Sequence, residues 1–147
     1  VRANAEARRV LRDGGRYMLV IWDRVERNLA TRAAGEAVAH LFPDDAASFY
    51  ERIPFRYHDP AVIGHDLLAA GFDDIEFETV ELRSRAPSAA AAAKGLCQGS
   101  PMRTEIEKQG PDALERATAA AEQALRRFEG PDGLDAPMSA HIVTATR

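Results

Sequence analysis

The sequence predicts an α/β fold, and three observations carry that expectation. A helical pattern at residues 3–12 breaks at Asp13-Gly14-Gly15 and is followed at once by an apolar run, Tyr17-Met18-Leu19-Val20-Ile21-Trp22. A second helical pattern, opened by Asp59-Pro60 and closed by Gly71-Phe72, leads into an alternating segment at residues 74–82. A last apolar stretch, Ala140-His141-Ile142-Val143-Thr144-Ala145, follows a long helical stripe. Helix followed by strand, repeated along one chain, is the pattern of layered α/β folds. At 147 residues the chain suffices for one domain with a modest core.

Each element has its own justification. Glycine ends a helix cheaply because it reaches left-handed backbone angles, so Gly14-Gly15 marks the first stop. The run from Tyr17 to Trp22 shows no alternation, which predicts a strand buried on both faces, as in a parallel sheet. Asn28 is expected to cap a helix over 29–41 with Ala33, Ala37 and Leu41 on one side, Pro43 to close it, and Asp44-Asp45 to cap a short helix carrying Phe49 and Tyr50. Asp59 is placed as a cap with Pro60 at the first helical position. Ile75 and Phe77 alternate with glutamates, as in a half-exposed strand. Further helices are expected over 88–95, over 102–108 and from Pro111-Asp112 onward, the last with a stripe of Leu114, Ala117, Ala121, Leu125 and Phe128. Gly130-Pro131-Asp132-Gly133 reads as a loop before the final strand, 140–145.

Composition excludes several function classes. A net charge of −4 gives no electrostatic reason to expect nucleic acid or an anionic membrane as a partner. No apolar run approaches the roughly 20 residues that span a bilayer, and no signal-peptide pattern is present. The lone Cys97 allows no internal disulfide and no thiolate zinc cluster, and a cytoplasmic setting is the simplest expectation. Abundant alanine, with arginine in excess of lysine, points to a GC-rich bacterial genome. The opening residues already read as the body of a helix, which predicts a piece of something longer.

Three segments carry a resemblance to a known family. Glu6-Ala7-Arg8-Arg9-Val10-Leu11-Arg12-Asp13-Gly14-Gly15-Arg16 is similar to the E-x-x-R-V-L-K/R-P-G-G turn before the fifth strand of class I S-adenosylmethionine (SAM) dependent methyltransferases, with Asp13 where proline is usual. Leu67-Leu68-Ala69-Ala70-Gly71-Phe72-Asp73-Asp74-Ile75 resembles the L-x-x-A-G-F-x-x-V approach to their sixth strand. His141-Ile142-Val143-Thr144-Ala145 resembles their seventh. The resemblance covers the whole chain and implies a partial Rossmann-like methyltransferase fold. That fold holds the C-terminal three strands in the order 5-7-6, the last antiparallel, with flanking helices and a helical substrate-cover insertion at about 86–134. Within the insertion, Gly95-Leu96-Cys97-Gln98-Gly99-Ser100-Pro101 looks like one branch of bacterial small-molecule methyltransferases.

The resemblance implies SAM as cofactor of the complete enzyme and a small-molecule methyl acceptor as its substrate. The glycine-rich loop that follows the first strand in this family, and lets backbone approach the cofactor, has no counterpart here, because no Gly-x-Gly occurs in the chain. The expectation is therefore a part that binds no SAM alone and is inactive, and that forms a homodimer or joins the missing N-terminal half through the edge of its first strand. Two alternatives stand beside it: a non-catalytic binding or dimerisation module of the same fold, and a different nucleotide-dependent α/β enzyme.

Candidate substrate-binding residues follow. Trp22 and Asp23 sit where the first strand ends, the side on which open α/β sheets bind ligands. Tyr50, Phe55, Tyr57 and His58 belong to an aromatic stretch that covers substrate in the resembling enzymes, and Cys97 is either a pocket-lining or a packed residue. No catalytic residue is assigned. His58-Asp59 and His65-Asp66 lack the further ligands a metal needs. Ser84, Ser88, Ser100 and Ser139 lack a nucleophile elbow, and His141 reads as a structural strand histidine.

Overall fold

The computed structural model describes residues 2–42 and 49–147, apart from the side chains of Tyr50 and Glu51. The Pro43 stop and the Asp44-Asp45 cap lie outside the described residues. In chain order the elements are α1 (Arg2–Val10), β1 (Arg16–Trp22), α2 (Leu29–Leu41), α3 (Phe49–Arg52), α4 (Pro60–Ala69), β2 (Asp74–Ala86), α5 (Ala89–Gln98), α6 (Met102–Glu107), α7 (Ala113–Leu125), β3 (Glu129–Gly130) and β4 (Gly133–Thr146). The chain is mixed α/β, with an open antiparallel sheet ordered β1-β4-β2, and β3 hairpinned onto β4. The strand that comes last in sequence therefore lies between the two that precede it.

The residues divide into two compact units. The first comprises residues up to 24, 57–81 and 139–147. Its core is Ile63 and Leu67 of α4, Phe72, and Val143 and Ala145 of β4, with Tyr17, Leu19 and Ile21 of β1 packed against them. Phe72 stacks on Tyr17 with ring centroids 5.6 Å apart. The caps are those the sequence specifies. The Asp59 carboxylate accepts from the Ala61 N–H at 2.8 Å, with Pro60 opening α4, and Gly71 leaves that helix at φ +91°. Gly14, at φ +71°, turns the chain between α1 and β1 and donates to the Arg147 carbonyl at 2.9 Å. The Arg147 guanidinium in turn donates to the Arg8, Arg9 and Leu11 carbonyls, satisfying the acceptors that the end of α1 leaves open.

The second unit comprises residues 25–56 and 82–138. Its core is helical. Ala113, Ala117, Ala121 and Leu125 of α7 meet Ala89, Ala93 and Cys97 of α5 and Ala30, Ala33, Ala34 and Val38 of α2. Alanine at these positions lets helix backbones approach closely. Of the expected α2 face, Ala33 is buried and Leu41 packs against this core, while Ala37 is only half-buried and Ala30, Ala34 and Val38 complete the buried side. The Asn28 side chain makes no capping bond, whereas Ser88 caps α5 by accepting from Ala91 N–H at 3.0 Å.

Two strand expectations need correction. β1 is not buried on both faces and has no parallel neighbour among the described residues: it pairs antiparallel with β4, in a register that sets Leu19 opposite Val143 and Trp22 opposite Ala140. Tyr17, Leu19 and Ile21 face the core, while Met18, Val20 and Trp22 are 65%, 71% and 42% exposed. An unalternating apolar run thus forms a strand at the sheet's edge with one apolar face uncovered. β4 begins at Gly133, not Ala140, and β2 continues to Ala86. The expected Gly130–Gly133 loop is a two-residue hairpin turn, with Gly130 paired to Gly133.

Gly133 holds φ +100°, and a Cβ there would lie 2.5 Å from the Ala86 carbonyl oxygen; Gly14 has open space around it. Gly133→Ala is expected to lower unfolding free energy by about 3 kcal/mol and Gly14→Ala by about 1 kcal/mol, from backbone strain with and without a clash. Urea unfolding of both variants measures the difference.

Candidate functional site

The extension of β4 back to Gly133 creates a buried polar cluster in the first unit. Because Trp22 pairs with Ala140, the next residue outward, Asp23, faces Ser139, and the Asp23 N–H donates to the Ser139 carbonyl at 3.1 Å. Side chains alternate faces along a strand, so Asp23, Ser139 and His141 share the face that carries Ile21 and Val143. All three are buried: 7%, 3% and 5% exposed. The Ser139 hydroxyl donates to Asp23 Oδ2 at 2.9 Å, and the Arg24 N–H donates to Asp23 Oδ1 at 2.7 Å. His141 Nε2 lies 3.4 Å from Asp23 Oδ1 without forming a hydrogen bond, and its Nδ1 is 3.0 Å from the Thr79 hydroxyl of β2. Thr79 itself is exposed.

The electrostatics follow from these contacts. Burial works against the charge on Asp23, but the Arg24 N–H, the Ser139 hydroxyl, His141 and the Arg24 guanidinium together outweigh it and hold the carboxyl below the usual carboxylate range. Asp23 is therefore an anion enclosed by donors. The imidazole lies between Asp23 and Thr79, its Nδ1 hydrogen-bonded to the Thr79 hydroxyl in a direction that depends on the ring tautomer. The order carboxylate, imidazole, hydroxyl is that of a catalytic triad's side chains.

The other sequence candidates are distributed over both units. Trp22, one residue before Asp23, ends β1 half exposed. Tyr57 belongs to the first unit, where its hydroxyl donates to Asp66 Oδ2 at 3.2 Å; burial and the Asp66 charge push its ionisation upward. His58 is half-buried in the same unit. Phe55 and Cys97 are core residues of the second unit, 5% and 0% exposed. Burial pushes the Cys97 thiol up to about 11, which makes it a packing group, the second of its two expected roles, and not a nucleophile. Tyr50 lies in α3, its side chain outside the described residues. Asp59 is used as a helix cap and His65 is exposed; among the described residues no three His, Cys, Asp or Glu side chains are grouped to hold a metal. Nor is any described helix long and apolar enough to cross a membrane.

Sequence reasoning singled out Asp23 but missed its partners. A signal was present: Leu134, Ala136, Met138 and Ala140 alternate with polar residues, which extends the last strand to Ser139 and beyond. Pro137 masked it, since proline inside a run argues against a strand.

No protein-family model matches this sequence, and no curated protein matches it.

Because its carboxyl titrates lower in the folded chain than in the unfolded one, Asp23 contributes stability that is present above about pH 4 and lost as pH falls through the folded value. Asp23→Asn is expected to cost about 2 kcal/mol at pH 7 and clearly less at pH 3, the strength of hydrogen bonds to a charged acceptor. Urea midpoints of both proteins at the two pH values check this.

Proposed function

We propose that this chain is the C-terminal, acceptor-side part of a class I SAM-dependent methyltransferase. The observation that carries the reading is the strand order β1-β4-β2, with the final strand inserted antiparallel beside β1. It is the order that the three sequence resemblances imply. The turn glycines of the two matching motifs, Gly14 and Gly71, also hold the positive φ angles for which such turns keep glycine.

In the complete enzyme SAM supplies an electrophilic methyl group, and the protein's task is to align it with a nucleophilic atom of a small acceptor. Trp22 and Asp23, at the C-terminal end of β1, stand where such an acceptor is bound in open α/β sheets. The residues of this chain do not fit SAM itself. Gly14 and Gly71 precede their strands, and the residues after β1 are Asp23-Arg24-Val25-Glu26, with no glycine to admit a ligand against the backbone. Cofactor binding therefore falls to an upstream portion, which pairs with the open edge of β1.

A second reading, a non-catalytic module of this fold, is favoured by one observation. The exposed Met18, Val20 and Trp22 on an edge strand form a surface suited to another copy of the chain.

Calorimetric titration with S-adenosylhomocysteine, of this chain and of the complete reading frame that encodes it, separates the two. The methyltransferase reading expects one-to-one, micromolar binding by the complete product and no heat with the 147-residue chain. A complete product without binding, forming a dimer through β1, overturns it in favour of the module.

A further inference from the structure

We propose that Asp23, His141 and Thr79 form an activated-hydroxyl site, in which Thr79 accepts an acyl group from an activated ester. This inference does not require the methyltransferase reading, since it uses only side chains of the first unit and the distances between them.

Three features support it. The three groups lie in sequence, Thr79 Oγ1 hydrogen-bonded to His141 Nδ1 at 3.0 Å and His141 Nε2 placed 3.4 Å from Asp23 Oδ1. They have the order of a hydroxyl–imidazole–carboxylate triad, with the two ring nitrogens exchanged. Its inner members are enclosed and its outer member is exposed: Asp23 and His141 are buried, while Thr79 stands on the surface of β2. A buried base and a reachable hydroxyl are what nucleophilic catalysis requires.

The third feature is the contact left incomplete. Nε2 of His141 is buried, lies 3.4 Å from an Asp23 carboxylate oxygen, and has no hydrogen-bond partner among the described residues. For a purely structural histidine this is a cost without return, since buried polar groups are normally satisfied. In a proton acceptor it has a use. When Nδ1 takes a proton the ring becomes a cation 3.4 Å from the Asp23 carboxylate, with which it forms an ion pair. Ser139 holds Asp23 by its second oxygen and so acts as a positioning residue.

Thr79 Oγ attacks the ester carbonyl carbon while its proton passes to His141 Nδ1. The new Oγ–C bond replaces the ester C–O bond, the alcohol portion departs as its anion, and the imidazolium returns the proton to solvent.

The test uses p-nitrophenyl acetate with the intact chain at pH 8, following nitrophenolate release and mapping the acetyl group by peptide mass spectrometry. The expected result is acetylation of Thr79, retained in Thr79→Ser, abolished in Thr79→Val, and slowed about 100-fold in His141→Gln, the usual contribution of a general base. Asp23→Asn is expected to slow it at least tenfold, and serves as the second probe of the relay if His141→Gln does not fold by circular dichroism. Acetyl groups confined to Lys94 and Lys108, or Thr79 acetylation at an unchanged rate in either relay variant, overturn the proposal.

Discussion

The insertion of β4 between β1 and β2 is the constraint on which the rest of the first unit depends. A strand at an edge offers one neighbour; a strand in the middle offers two, and β4 uses both. Its register with β1 brings Val143 and Ala145 against Leu19 and Tyr17, and the same register, carried four residues beyond Leu19, sets Ser139 against Asp23. Its other side brings His141 to Thr79. One strand thus supplies both the apolar floor under α4 and the polar cluster at the floor's end. Since strand side chains repeat every two residues, a slip of one residue in β4 would put Ser139 and His141 on the opposite face and expose Val143.

Two opposing demands meet at Asp23. Enclosing a carboxylate in the interior is unfavourable unless donors replace the lost water. The Arg24 N–H and the Ser139 hydroxyl do so, and the result is a fixed negative charge beside an imidazole. A fixed charge, an imidazole and a hydroxyl in one cluster make it a chemical candidate as well as a structural one. The fully enclosed Cys97 illustrates the contrary case, a reactive residue type made inert by burial without a charged partner.

Much of the fold is legible in the sequence because it is set by local chemistry. The Asp59-Pro60 start and the Gly71 stop depend on neighbours within one or two turns and form as expected. So does the Ala117, Ala121 and Leu125 part of the α7 stripe, whereas Phe128 lies beyond the helix and Ala113 is buried in place of Leu114. Burial of β1 was not legible. An apolar run without alternation states only that both faces are apolar, and what covers them is decided by other elements; here one face meets α4 and the other is open. The candidate site was legible in one residue of four. Asp23 follows from its position after a strand, but Ser139, His141 and Thr79 join it through pairing across 116 and 62 positions of sequence, which no local pattern encodes.

The family reading and the Asp23 cluster rest on the same strand order, so that order is the place to test the account. The most direct measurement is a set of cross-strand nuclear Overhauser contacts on the isotopically labelled chain. The account expects backbone contacts linking Val20 with Ile142 and Trp22 with Ala140, together with a side-chain contact between Thr79 and His141. Backbone contacts running directly from β1 to β2, with β4 at an edge, would contradict it, since Asp23 and Thr79 would then have no histidine between them.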